Sequence, residues 1–136
     1  MQTKNLLFLL TAFTTVSLSV WAEPGLKKYV EGEKTEVYYF HNTRRCPTCM
    51  AIEKETKKVL KEQPFADAEE NEKLAFKSYN AENAANKKLV KKLGVTGSAL
   101  IIMKGDEKID LTSKGFMYAL KQPEKFRQAL RDALNE

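Results

Sequence analysis

Apolar side chains run together through Val37-Tyr38-Tyr39-Phe40 ahead of His41, which marks a buried strand, and Asn42 to Arg45 follow as a short loop. From Pro47 to about Glu62 the period changes to 3.6 residues. Cys49, Ile52, Thr56, Val59 and Leu60 then share one stripe with Glu and Lys opposite, an amphipathic helix with Pro47 at its first position, where a missing N–H costs nothing. Pro64 closes or kinks that helix, and Asp67 to Glu72 reads as a solvated turn or a short extra helix. Lys73 to Tyr79 alternates like a strand, and Glu82 to Leu93 presents Ala85, Leu89, Val90 and Leu93 at helical spacing, with Gly94 as C-terminal cap. Ser98 to Met103 is a second buried strand. Lys104-Gly105-Asp106-Glu107 turns it back into a short strand from Lys108 to Thr112, which makes a hairpin. Phe116, Met117 and Leu120 are expected in the core. A last helix begins at Gln122-Pro123 with Phe126, Ala129, Leu130, Ala133 and Leu134 inward. The order is β-α-β-α-β-β-α, without internal repeats or low-complexity tracts.

The chain has 136 residues, and its first two dozen read as an address. Lys4 supplies a positive start, Leu6 to Val20 an uncharged apolar core, and Val20-Trp21-Ala22 a small-residue end before Glu23-Pro24. Residues 1–22 are therefore expected to be a cleaved secretory signal, with periplasmic or secreted localisation and no stable membrane insertion afterwards. An uncleaved anchor is the alternative, near the lower limit of about 20 apolar residues needed for a span. Residues 23–35 form a lead-in with Leu26, Tyr29 and Val30 as its apolar points. Residues 36–136 suit one domain and leave no room for a second of ordinary size. The net charge of +5, one unit of it on Lys4, is interspersed with acid along helix faces, so no nucleic-acid partner is expected.

Cys46-Pro47-Thr48-Cys49 contains the only two cysteines, placed where the first strand runs into the first helix. A thiol in the first turn of a helix lies among unpaired N–H groups at the positive end of the macrodipole. Such sites lower a cysteine pKa from about 8.5 into a range of roughly 3.5 to 7.5, and the thiolate is the nucleophile of disulfide exchange. Two intervening residues let the second sulfur reach the first, so the pair can open and close in place. Three other uses of the pair stay open. A structural disulfide across so small a ring would remove little unfolded-state entropy. Zinc usually takes four ligands, whereas the chain offers two cysteines and one histidine, His41. Cu(I), or a metalloid such as As(III), could be held by the two thiolates, with Met50 as a further soft ligand for copper.

Placed in this element order, the CxxC motif resembles the minimal thioredoxin fold over nearly all of Glu36 to Asn135. That likeness implies a single α/β domain with a central mixed sheet flanked by helices. The stretch from Phe40 to Glu53 is also similar to a subgroup of small secreted thioredoxin-like proteins named for a nitrophenyl-compound nitroreductase subunit and associated with arsenic handling. The resemblance implies that Cys46 attacks and Cys49 resolves, in exchange with a protein thiol or disulfide, by a monomer that needs no bound cofactor. Without a flavin or nicotinamide motif, the chain could serve a nitroaromatic reductase only as an electron-relaying partner.

Several further positions take supporting roles by the same likeness. Pro47 and Thr48 separate the cysteines. Arg44 and Arg45 either favour the thiolate or are exposed loop cations. His41 either exchanges protons with the dithiol or is a hydrogen-bonded strand-end residue. Two positions depart from the family: Ala99 holds the place of the usual cis-proline, with a trans peptide expected, and Phe40 or another uncharged neighbour replaces a buried acid.

Overall fold

Strand β1, Thr35–His41, is central, and its unbroken apolar run follows from having both faces covered. The computed structural model describes residues 33–136, so the predicted signal and most of the lead-in lie outside the described residues. Along β1, Val37 and Tyr39 point into one core while Tyr38 and Phe40 point into a second, the two-residue period of a pleated strand. Helix α1, Pro47–Leu60, and α2, Phe65–Glu70, lead to β2, Leu74–Asn80, which runs parallel to β1. Strand β3, Ala99–Lys104, lies antiparallel on the other side of β1, and β4, Glu107–Asp110, pairs with β3. The sheet order is β2-β1-β3-β4. A four-stranded mixed sheet in this order, flanked by helices and with the first helix leaving β1, is a thioredoxin-like fold.

The acidic stretch after Pro64 takes the form of the short helix α2, anchored by buried Phe65 and Ala68. The expected helix over Glu82 to Leu93 is shorter than its periodicity implied. A 3₁₀ turn at Ala84–Asn86 precedes α3, Lys87–Leu93. Asn83 Oδ1 accepts the Ala85 N–H at 3.0 Å, a donor that a continuous helix would have turned to a carbonyl, and Asn86 Nδ2 ties the turn to the Asn80 carbonyl at 2.8 Å. Gly94 caps α3 in the left-handed conformation, φ 65°.

The segment after β4 corrects the sequence reading. The strand stops at Asp110, whose Oδ1 accepts the Thr112 N–H at 2.9 Å, and helix α4, Thr112–Tyr118, begins where strand was expected to end. Phe116, Met117 and Leu120, expected in the core, are exposed at 43%, 60% and 50%. The inward positions are Leu111, Gly115 and Ala119, four residues apart. A Cβ on Gly115 would sit 3.1 Å from Ile52 Cδ1, so glycine lets α4 approach α1 closely, and that approach turns the large apolar side chains outward.

Helix α5, Pro123–Asn135, buries Phe126, Leu130, Ala133 and Leu134, with Ala129 half-buried, and packs against α1. Buried Glu55 of α1 is held by Arg127 of α5 and by Lys58 at 2.8 Å, while Arg131 grips Glu62 through two bonds of 2.8 and 2.9 Å. Burial alone would raise the Glu55 carboxyl, but hydrogen bonds from Lys58 and Arg127 outweigh it and hold the group below the usual range. The bond from Arg131 does the same for Glu62. Folded pKa values below the unfolded value of about 4.3 stabilise the domain above that pH and stop doing so as pH falls through the lowered values. We expect the thermal midpoint to fall as the pH is lowered below about 4.3, and Arg127→Gln to make that dependence shallower. An unchanged slope in the variant, followed by circular dichroism, would count against this clamp.

Candidate redox site

The cysteine pair owes its geometry to the start of α1. Cys46 is the N-cap residue with extended backbone, φ −84° and ψ 160°, and Pro47 occupies the first turn. The Cys46 Sγ accepts the Cys49 N–H at 3.1 Å, and the Cys46 carbonyl accepts the Met50 N–H at 3.0 Å. The sulfur thus takes the capping role that an oxygen usually fills, facing an amide that has no partner within the helix. Cys46 and Cys49 are joined as a disulfide with their Cα atoms 5.0 Å apart. Cys46 is half-buried, whereas Cys49 faces the core with 6% exposure.

Tyr39 fastens this turn to the sheet. Its fully buried hydroxyl donates to the Cys49 carbonyl at 2.6 Å. Burial raises the hydroxyl pKa above its ordinary value, with Arg45 opposing the rise, so the donor stays protonated at neutral pH. Arg45 lies over the Tyr39 ring, 5.7 Å from its centroid, and pairs with Glu53, which also takes Lys57 Nζ at 2.7 Å. Burial would raise the Glu53 carboxyl, but Lys57 and Arg45 bring it below the usual range, so it is ionised at neutral pH and offsets the Arg45 charge.

The other positions named from sequence spread around this turn. Arg44 and Pro47 are exposed, and Thr48 is half-buried. His41 ends β1, half-buried, with Nδ1 3.1 Å from the Asn42 carbonyl and its ring 6.0 Å from that of Tyr39. Ala99 opens β3 opposite Phe40, and its side chain packs in the second core with Phe40, Leu93 and Val95. The Ser98–Ala99 peptide is trans; the cis peptide of the described residues is at Gln63–Pro64. Met50 is exposed and lines a groove of about 410 Å³ with Arg45, Glu53 and the lysines of α1. No group of three or more His, Cys, Asp or Glu residues placed to share a metal occurs among the described residues.

Sequence reasoning passed over two neighbours of the pair. The apolar run marks Tyr39 only as part of a buried strand, although its alternation with Phe40 assigns it to the α1 side. The sequence pattern makes Ser98 the first residue of a strand and nothing more, yet its Oγ lies 3.7 Å from Cys49 Sγ. The available signal is a hydroxyl immediately before Ala99.

No protein-family model matches the chain, and no curated protein does. Among solved structures it is similar to a malarial protein at 18% identity, over 66% of this chain and 97% of that one, with a TM-score of 0.41. It is similar also to a thioredoxin from Thermus thermophilus at 17% identity, over 71% of this chain and 74% of that one, with a TM-score of 0.38.

Proposed function

We propose that the chain is a secreted or periplasmic thiol–disulfide oxidoreductase, released by cleavage after Ala22, that acts as a monomer without a bound cofactor. Cys46 exchanges with a protein thiol or disulfide and Cys49 resolves the mixed disulfide. The observation that carries this reading is the Cys49 N–H directed at Cys46 Sγ on the N-cap of α1. When the disulfide opens, the same amide faces a thiolate, and a hydrogen bond to a charged acceptor is worth about 1.5–3 kcal/mol. The element order that brings a strand end, a CxxC and a helix start together supports it further. Arg45, already paired with Glu53, contributes less positive field than its sequence position implied, so the backbone is assigned the larger share of thiolate stabilisation.

The test is exchange between the purified protein and a peptide disulfide, with the reduction potential of the pair measured against glutathione and metal content determined on the same sample. We expect catalysis above the spontaneous rate and a potential between about −270 and −120 mV, the span of known exchange proteins. Stoichiometric copper surviving dialysis, with no exchange, would favour a thiolate metal module instead. Electron transfer to a nitroaromatic compound only in the presence of a flavin reductase would point to the relay role.

A further inference from the structure

Cys46 has the first turn of α1 to stabilise its charge, but Cys49 does not, because its own N–H is turned toward Cys46 Sγ. Several charged and titratable groups around the start of α1 already have partners. From β1, the Tyr39 hydroxyl is bound to the Cys49 carbonyl and His41 Nδ1 lies against the Asn42 carbonyl. From the loop and α1, Arg45 is paired with Glu53, which also holds Lys57. Phe40, fully buried, brings no acid. The segment leading into β3 presents Ser98, half-buried, with Oγ 3.7 Å from Cys49 Sγ.

We infer that Ser98 is the hydrogen-bond donor that stabilises the Cys49 thiolate whenever the disulfide opens. A serine hydroxyl rotates freely and carries one proton to donate, so no backbone movement is required for it to follow the change from disulfide to thiolate. This rests on the redox reading proposed above. In one direction an external thiolate attacks Cys46 Sγ. The new S–S bond forms as the Cys46–Cys49 bond breaks, and the electron pair departs on Cys49 Sγ, which accepts the Ser98 hydroxyl bond before taking a proton from water. In the reverse direction Cys49, having lost its proton to water, attacks Cys46 Sγ. The external thiolate leaves with the electron pair, and Ser98 Oγ releases its bond as the disulfide closes. The hydroxyl is never consumed.

The experiment follows thiolate absorbance against pH in a Cys46→Ser background, where Cys49 is the only thiol. Ser98→Ala is expected to raise the Cys49 midpoint by about one pH unit, the tenfold effect of a hydrogen bond to a charged acceptor, and Ser98→Thr to restore it. With both cysteines present, Ser98→Ala should slow resolution of a Cys46–glutathione mixed disulfide at neutral pH by about threefold to fivefold. The loss is less than tenfold because a more basic thiolate is a better nucleophile. Ser98→Gly supplies the same comparison should Ser98→Ala fail to fold. An unchanged Cys49 midpoint in the folded variant overturns the inference. The titration needs no partner, so a shifted midpoint in a protein that exchanges with nothing would sustain Ser98 and reject the proposed function, while active exchange with an unchanged midpoint would do the reverse.

Discussion

Cys49→Ser is expected to accumulate mixed disulfides with natural partners, while Cys46→Ser traps none and loses exchange entirely. The half-buried sulfur on the N-cap can be reached by a partner and is stabilised as thiolate by the Cys49 N–H, whereas Cys49 Sγ faces the core. Removing Cys49 therefore leaves the first step intact and deletes the group that expels the partner. Removing Cys46 deletes the nucleophile itself. Affinity capture of the two variants under non-reducing conditions, followed by reduction, reads the difference. Alkylation of the reduced wild type at neutral pH provides a partner-free control, in which Cys46 should react far faster than Cys49. Equal trapping by both variants, or equal alkylation rates, would sink the assignment of roles.

The parts of this site that could be read from sequence are those made by neighbours in the chain. Cys46, Pro47 and Cys49 lie within one turn, so the period of α1 was enough to place one sulfur at the helix start and the other on the inner face. Ser98 meets Cys49 across 49 positions, and only the antiparallel pairing of β3 with β1 brings it there. Arg45 and Glu53 are eight residues apart on opposite sides of the helix start, so neither helical spacing nor loop composition announced that the cation was already paired. At Ala99 the pleat sends the side chain into the Phe40 core, and the contact with sulfur comes from its neighbour Ser98.

Strand β1, the helix carrying the cysteines and the hairpin have strong periods and were legible, as was the cap at Gly94. Helix α4 was not, because its inward stripe includes Gly115 and Ala119, which carry little hydrophobic signal, while Phe116, Met117 and Leu120 carry a great deal. Burial there is decided by how closely two backbones can approach. A hydrophobic count along the chain does not contain that information. The three exposed large apolar side chains in and after α4, Phe116, Met117 and Leu120, follow from it.

Phe126→Ala should therefore be the most damaging of the aromatic and methionine truncations in the last third of the chain. Phe126 is fully buried in the first turn of α5, within the core shared with Ile52, Val59, Leu100 and Leu130. Truncation of a buried phenylalanine costs about 3–5 kcal/mol, the lost transfer free energy together with the cavity left behind, against a total of about 5–15 kcal/mol for a small domain. At about 4–8 °C per kcal/mol for a domain of this size, the thermal midpoint should fall by more than about 10 °C. Met117→Ala, at a side chain 60% exposed, should stay within about 0.5 kcal/mol of the parent, and Phe116→Ala should cost far less than Phe126→Ala. Chemical denaturation of the three variants separates the two pictures of this segment. Comparable losses at Phe126 and Met117 would mean that α4 packs through its large apolar side chains after all, and the close approach of Gly115 to Ile52 would have to be abandoned with it.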